Sequence, residues 1–88
     1  MVDDGRDRVA ATQDAVAVVT AWLAQRQGDD LYHQQVDQVI EEHGELGTLR
    51  LATGLTNLCG FLVYRLARLQ GQDPEEVLRD VARRIASA

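Results

Sequence analysis

The sequence contains no lysine, one cysteine and one proline. A single cysteine excludes a disulfide within the chain, and the cysteine and the two histidines do not have the spacing of a zinc-binding motif. The P-loop, the glycine-rich dinucleotide motif and the HExxH motif of metalloproteases are also missing. We therefore predict neither a cofactor nor catalytic residues and interpret the chain as non-catalytic. A small enzyme, metal-dependent or otherwise, is an alternative.

The beginning of the chain, MVDDGRD, lacks the basic region and the apolar region of an export signal, so we expect a cytoplasmic protein. Its 88 residues allow one domain, and we predict a flexible N-terminus over 1–6 and a single helical domain over 7–88. A chain of this size hides only roughly 60 to 65% of its unfolded surface when it folds alone, so association with a second copy would add stability.

Acidic and basic residues are distributed unevenly. The net charge is −5, and residues 1–47 carry three Arg against ten acidic residues, whereas residues 48–88 carry six Arg against four. The negative total repels phosphate backbones, so nucleic acid is not an expected partner. The two halves should attract each other, within one bundle or between two chains. A small helical DNA-binding regulator, built on the glycine-containing bend within 40–55 and on the Arg residues of the second half, is the alternative function.

Apolar residues recur at helical spacing along most of the chain, which predicts an all-α fold. Glycine residues mark three helix ends, and Asp73-Pro74 followed by two Glu residues predicts the start of the last helix. Asp29 or Asp30 is predicted to cap the second helix. We predict a small bundle of four helices in mainly antiparallel order, with a long central third helix. The four helices are predicted over about 7–27, 30–43, 48–70 and 74–86.

The stretch from Leu51 to Tyr64 contains no charged residue. Its 14 residues are too few for a membrane span, which needs about 20, so we predict no membrane association. We interpret the stretch as the centre of a core helix in which Leu58 and Leu62 are buried. Cys59 has no cationic neighbour one helical turn away, which predicts a buried and unreactive thiol.

Small and polar residues form a strip along one side of the third helix, consisting of Thr53, Thr56 or Asn57, Gly60, Ala67 and Gly71. Small side chains allow a second helix to approach closely, and this helix could be the first helix or could belong to a second copy. Asn57 could fix one helix pairing, as a buried Asn does in coiled coils, or could lie exposed.

His33, Asp37 and Glu41 share the outer face of the second helix. A His and a carboxylate four residues apart can bind one metal ion, so these three residues are the candidate metal ligands. A single His at this place is more typical of a solvated polar face, and no metal is predicted.

The first and third helices offer more apolar surface than the two shorter helices can cover. We therefore predict a homodimer about a two-fold axis, with a further protein partner as an open alternative. Large side chains often dominate such contacts, and the predicted anchors are Trp22, Leu23, Phe61 and Tyr64. The predicted function is that of a non-catalytic protein-interaction or regulatory module that self-associates.

The segment GLTNLCGFLVYRL at 54–66, followed by GQDPEEVLRDVA at 71–82, resembles small uncharacterised all-helical proteins of GC-rich actinobacteria. The resemblance covers about the last 35 residues of the chain. It implies a helical fold and a bacterial cytosolic setting, and it assigns no functional residue.

Overall fold

A computed structural model of the chain describes the backbone of residues 4–87 and the side chains of residues 7–87. The described residues are 89% helical and include no strand, which confirms the all-α prediction. The elements are α1 (Asp4–Ala24), α2 (Leu31–His43), a 3₁₀ turn (Gly44–Leu46), α3 (Gly47–Gln70) and α4 (Pro74–Ser87). The 3₁₀ turn joins α2 and α3 without a break. If these two helices are counted as one interrupted helix, residues 4–87 contain three helices, so the predicted count of four is matched only in part.

Most helix ends follow the local signals of the sequence. Gly44 and Gly71 have φ values of 64° and 65°, in the left-handed region that glycine adopts without steric cost. Pro74 is the first residue of α4, and two Glu residues occupy its first turn, as predicted. At the other end of the chain α1 begins at Asp4, inside the segment 1–6 that was predicted to be flexible. Residues 1–3 of that segment lie outside the described residues.

The connection between α1 and α2 differs from the prediction. α1 ends at Ala24 instead of near residue 27, and Asp30 makes no side-chain capping hydrogen bond to α2. The carboxylate of Asp29 accepts a hydrogen bond from the backbone N–H of Arg26 at 3.2 Å instead. The amide of Tyr32 in the first turn of α2 donates to the Oε1 atom of Gln25 at 3.1 Å. The side chain of Gln25 therefore satisfies the free helix amide for which an Asp cap was expected.

Residue contacts divide the chain into two units, Met1–Leu58 and Cys59–Ala88, and each is described by itself. The single domain over 7–88 stays a prediction. The first unit contains α1, α2, the 3₁₀ turn and the beginning of α3. Its buried cluster consists of Val18, Val39 and Leu51, with Tyr32, Val36 and Leu55 packed against it.

α1 and α3 approach each other closely within the first unit. A Cβ atom added at Gly54 would come within 2.1 Å of the carbonyl oxygen of Ala11, so only glycine fits at this crossing. Beside it, the Nδ2 atom of Asn57 donates a hydrogen bond to the Oγ1 atom of Thr12 at 2.8 Å. Asn57 is half-buried and pairs α3 with the first helix of the same chain. At Asn57, therefore, the predicted strip of small and polar residues contacts α1 of the same chain.

The second unit contains the remainder of α3 and α4, and its core is small. Among residues 59–87 the buried apolar residues are Ala67 and Val77. Leu62 is exposed on the side of α3 away from Ala67, so the prediction that it is buried is wrong. Leu58, at the end of the first unit, is half-buried. Cys59 is exposed, and the prediction of a buried thiol is therefore also wrong.

One helical stretch, Leu31–Gln70, holds an 18-residue window that is long and apolar enough to cross a membrane, and 17% of this window is buried. Length and composition alone are weak evidence for a membrane span, because the mostly buried core helix of a soluble protein can be equally long and apolar.

Candidate functional site

The four predicted interface anchors are all exposed, in two separate places. Trp22 and Leu23 lie in the last turn of α1 with exposed fractions of 58% and 68%. Phe61 and Tyr64 lie on α3 in the second unit with exposed fractions of 66% and 64%. Each pair is therefore available for contact with another molecule.

Phe61 and Tyr64 line the same groove. This groove, hereafter the arginine-rimmed groove, has a volume of about 650 Å³ and is lined by Phe61, Leu62, Tyr64, Arg65, Arg68 and Leu69. All six residues belong to α3, so one helix supplies both the apolar lining and the two guanidinium groups. The groove can accept an apolar side chain and attract a neighbouring negative charge.

Trp22 lines a smaller hollow in the first unit, of about 320 Å³, together with Val18, Val19, Tyr32 and Leu55. The indole therefore contacts the edge of the core on one side and faces solvent on the other. The turn that follows α1 carries two exposed carboxylates, on Asp29 and Asp30, and one basic residue, Arg26. We use the name acidic tryptophan patch for Trp22 and Leu23 in the last turn of α1 together with Asp29 and Asp30 in the turn that follows it.

The candidate metal ligands do not form a site. His33, Asp37 and Glu41 are exposed on α2, and the Nδ1 atom of His33 lies 3.3 Å from the carboxylate of Asp30. Within residues 7–87 no group of three or more His, Cys, Asp or Glu side chains is placed to hold a metal ion. Their helical spacing alone does not bring the three donors to one point.

A polar cluster that the sequence did not predict joins three elements of the first unit. The Oδ2 atom of Asp14 on α1 accepts a hydrogen bond from the Nε atom of Arg50 on α3 at 3.3 Å. The Nε2 atom of His43, at the end of α2, lies 3.4 Å from the same oxygen. The three side chains are 21 to 30% exposed, so solvent only partly screens these contacts. The opposite charge of the two halves of the sequence was the one signal that pointed to the Arg50–Asp14 pair.

An open groove of about 450 Å³ lies beside this cluster, lined by Asp7, Arg8, Ala11, His43, Leu46, Leu49, Arg50 and Thr53. The positive charge of Arg50 is balanced by Asp14, and the lining also contains one acidic residue, Asp7, next to Arg8 in the sequence. The groove therefore has no surplus of one charge that would select an ionic ligand. The polar cluster beside the groove favours a structural role, in which Asp14 holds α1, α2 and α3 together.

Comparison of the chain with protein-family models, with curated proteins and with solved structures gives no match.

Proposed function

We propose that this chain is a non-catalytic helical interaction module that acts as a homodimer. The observation that carries the proposal is the imbalance between buried and exposed apolar residues. Within residues 7–87 the buried apolar residues number seven, three of them Ala, whereas fifteen large apolar residues are exposed. Single exposed apolar residues are common in soluble proteins, but so many in so short a chain favour a surface that a partner covers.

The second unit supports the proposal most directly. A unit below roughly 40 residues rarely folds alone without a disulfide, a metal or association with another chain. Burial of one valine contributes only about 1.5 to 3 kcal/mol. Ala67 and Val77 therefore add little to the stability of the second unit beyond the hydrogen bonds of its helices. A second copy would supply the missing apolar contact.

Sedimentation equilibrium at about 50 μM tests the proposal, since a dimer with a micromolar Kd is mostly associated at that concentration. We expect twice the monomer mass of 9.7 kDa. The substitution Phe61→Asp should lower the mass to that of the monomer without loss of helicity. The matched control is Ile85→Asp, because Ile85 in the same unit is 70% exposed and does not line the arginine-rimmed groove. A wild-type mass of 9.7 kDa would reject the homodimer.

The alternative of a DNA-binding regulator has less support. A recognition helix after the 3₁₀ turn would begin with α3, where Arg50 is paired with Asp14. Glu41, Glu42 and Glu45 are exposed just before it and would repel phosphates. We expect no retardation of duplex DNA in a gel-shift titration in low salt. Retardation that weakens steeply as salt is added would favour DNA binding instead.

We also propose a cytoplasmic location and a mainly antiparallel bundle in which α3 is central. The short connections over 25–30 and 71–73 support the antiparallel order, and the two Arg residues that bound the uncharged stretch of α3 support the location. Cell fractionation tests the location. Hydrogen exchange tests the bundle, because a central α3 should exchange its amides more slowly than the other helices along its whole length.

A further inference from the structure

We infer that in the homodimer the acidic tryptophan patch of one copy docks into the arginine-rimmed groove of the second copy. This inference rests on the proposed self-association and specifies how it occurs. Each chain carries one patch and one groove, and a two-fold arrangement with two identical contacts would leave neither surface free.

The arginine-rimmed groove has the chemistry to receive a tryptophan. It is open to solvent, and all six lining residues are exposed, so an indole can reach them. Phe61, Leu62 and Leu69 provide apolar contact for an indole, and the guanidinium groups of Arg65 and Arg68 can lie over its face. Tryptophan is the aromatic side chain that attracts cations most strongly.

The acidic tryptophan patch has the complementary chemistry. Trp22 and Leu23 are adjacent, exposed and located in the last turn of α1, where the helix end keeps them accessible. In the turn that follows, two carboxylates outnumber the single guanidinium of Arg26. Asp29 and Asp30 make local contacts at 3.2 Å with the amide of Arg26 and at 3.3 Å with His33, and both remain exposed. A partner guanidinium can therefore still approach them.

Charge decides between this arrangement and contacts of identical surfaces. Residues 1–58 carry four Arg against ten acidic residues, and residues 59–88 carry five Arg against four. Groove against groove would place Arg65 and Arg68 opposite two further Arg residues, and patch against patch would oppose four carboxylates. Like charges in contact disfavour both arrangements. Patch against groove brings opposite charges together.

A mixing experiment tests the inference. The variant Trp22→Asp keeps its groove and loses its patch, while Phe61→Asp keeps its patch and loses its groove. Each variant alone should sediment as a monomer. An equimolar mixture at about 1 mM of each variant should regain one of the two contacts and form a heterodimer, detected when one variant carries a fluorescent label. Its Kd should exceed that of the wild-type dimer by roughly a hundredfold, because only one contact remains. If the dimer instead joined two grooves or two patches, one of the two surfaces in a mixed pair would always carry an Asp substitution. No heterodimer would then form.

Controls separate a lost contact from a lost fold. Val9→Asp is matched to Trp22→Asp, because both positions are on α1 and are 58% exposed, and it should leave the dimer intact. Leu23→Asp provides a second patch variant that does not disturb the hollow beneath Trp22. Circular dichroism should show unchanged helicity for each variant. The Kd of the wild-type dimer should increase roughly three- to tenfold between 50 and 500 mM salt, because salt screens the Asp–Arg attraction.

The results distinguish this inference from the proposed function. A monomeric wild type rejects both. A dimeric wild type whose two variants form no heterodimer keeps the homodimer and overturns the patch-to-groove contact. Larger assemblies that the same substitutions abolish would show that the contact forms but does not close about a two-fold axis, which overturns the closed dimer.

Discussion

Two glycines of α3 meet different surroundings although both interrupt the same apolar stretch. A Cβ atom at Gly54 would meet the Ala11 carbonyl oxygen at 2.1 Å, whereas a Cβ atom at Gly60 would meet nothing within 4 Å. Gly54→Ala should therefore force α1 away and lower the free energy of unfolding by about 1 to 3 kcal/mol. Gly60→Ala should raise it by about 0.5 to 1 kcal/mol, because alanine loses less backbone entropy in a helix.

Urea denaturation followed by circular dichroism measures both changes on one scale. The Gly54→Ala and Gly60→Ala variants are controls for each other, since both replace a glycine of α3 with alanine. Equal changes in the same direction would contradict the close crossing of α1 and α3 at Gly54.

Cys59 is exposed, and its thiol should react with a disulfide reagent such as DTNB in the folded protein. We expect one equivalent to react without denaturant, within a few-fold of the rate in urea. Reaction only after unfolding would restore the original interpretation of a buried thiol. Cys59→Ser should change the free energy of unfolding by less than about 0.5 kcal/mol, as is usual at exposed positions.

At the scale of the elements, the side chain of Asp14 on α1 contacts both α2, through His43, and α3, through Arg50. Its removal in Asp14→Ala leaves Arg50 and His43 without their carboxylate partner in a partly buried place. We expect a loss of about 1 to 2 kcal/mol in the free energy of unfolding, more than an exposed ion pair contributes. Asp14→Asn, which keeps an oxygen acceptor for Arg50, should lose less.

The control for Asp14 is Asp37→Ala, a substitution at an exposed carboxylate on α2. It should change the free energy of unfolding by no more than about 0.5 kcal/mol. If Asp14→Ala has an effect as small as this control, the contacts of Asp14 do not stabilise the first unit.

Helix positions could be predicted from the sequence because their signals are local. Gly44 and Gly71 end a helix through their own backbone conformation. Pro74 and the two Glu residues after it favour a helix start through contacts within that one helix end. The end of α1 was wrong because Gln25 reaches forward to the amide of Tyr32, a contact that no cap motif describes. The cluster around Asp14 was missed for the same kind of reason, since it joins residues 14, 43 and 50 through the fold.

Periodicity also failed to predict which part of an apolar face is covered. Leucine recurs at spacings of four or three along α3, at residues 51, 55, 58, 62, 66 and 69, and we call these residues the leucine row. Leu51 is nevertheless buried and Leu62 is exposed. The row records where contact is favourable along the helix. It does not record which of these leucines other residues of the chain cover. The exposed anchors Phe61 and Tyr64 were predicted only because they are large and aromatic.

For the whole molecule, the apolar window within Leu31–Gln70 raises the question of membrane insertion. The uncharged stretch from Leu51 to Tyr64 has 14 residues, so an 18-residue window around it must include Arg50 or Arg65. Placing an Arg within the hydrocarbon costs about 2.5 to 3.5 kcal/mol at the centre of a span and less near its ends. The cost at the ends is small, but the proposed homodimer would cover the exposed apolar face of α3, so we expect the protein to remain at the bottom of a flotation gradient with vesicles of neutral lipid.

A matched variant shows whether the flotation assay could detect insertion. Arg65→Leu extends the uncharged stretch to Ala67, close to the length of about 20 residues that a span needs. This variant should float to a greater extent than the wild type. The contrary result is flotation of the wild type with neutral vesicles at protein concentrations where the homodimer is expected. That result would show that lipid rather than a second copy covers the exposed leucines of α3. It would reject both the cytoplasmic location and the dimer.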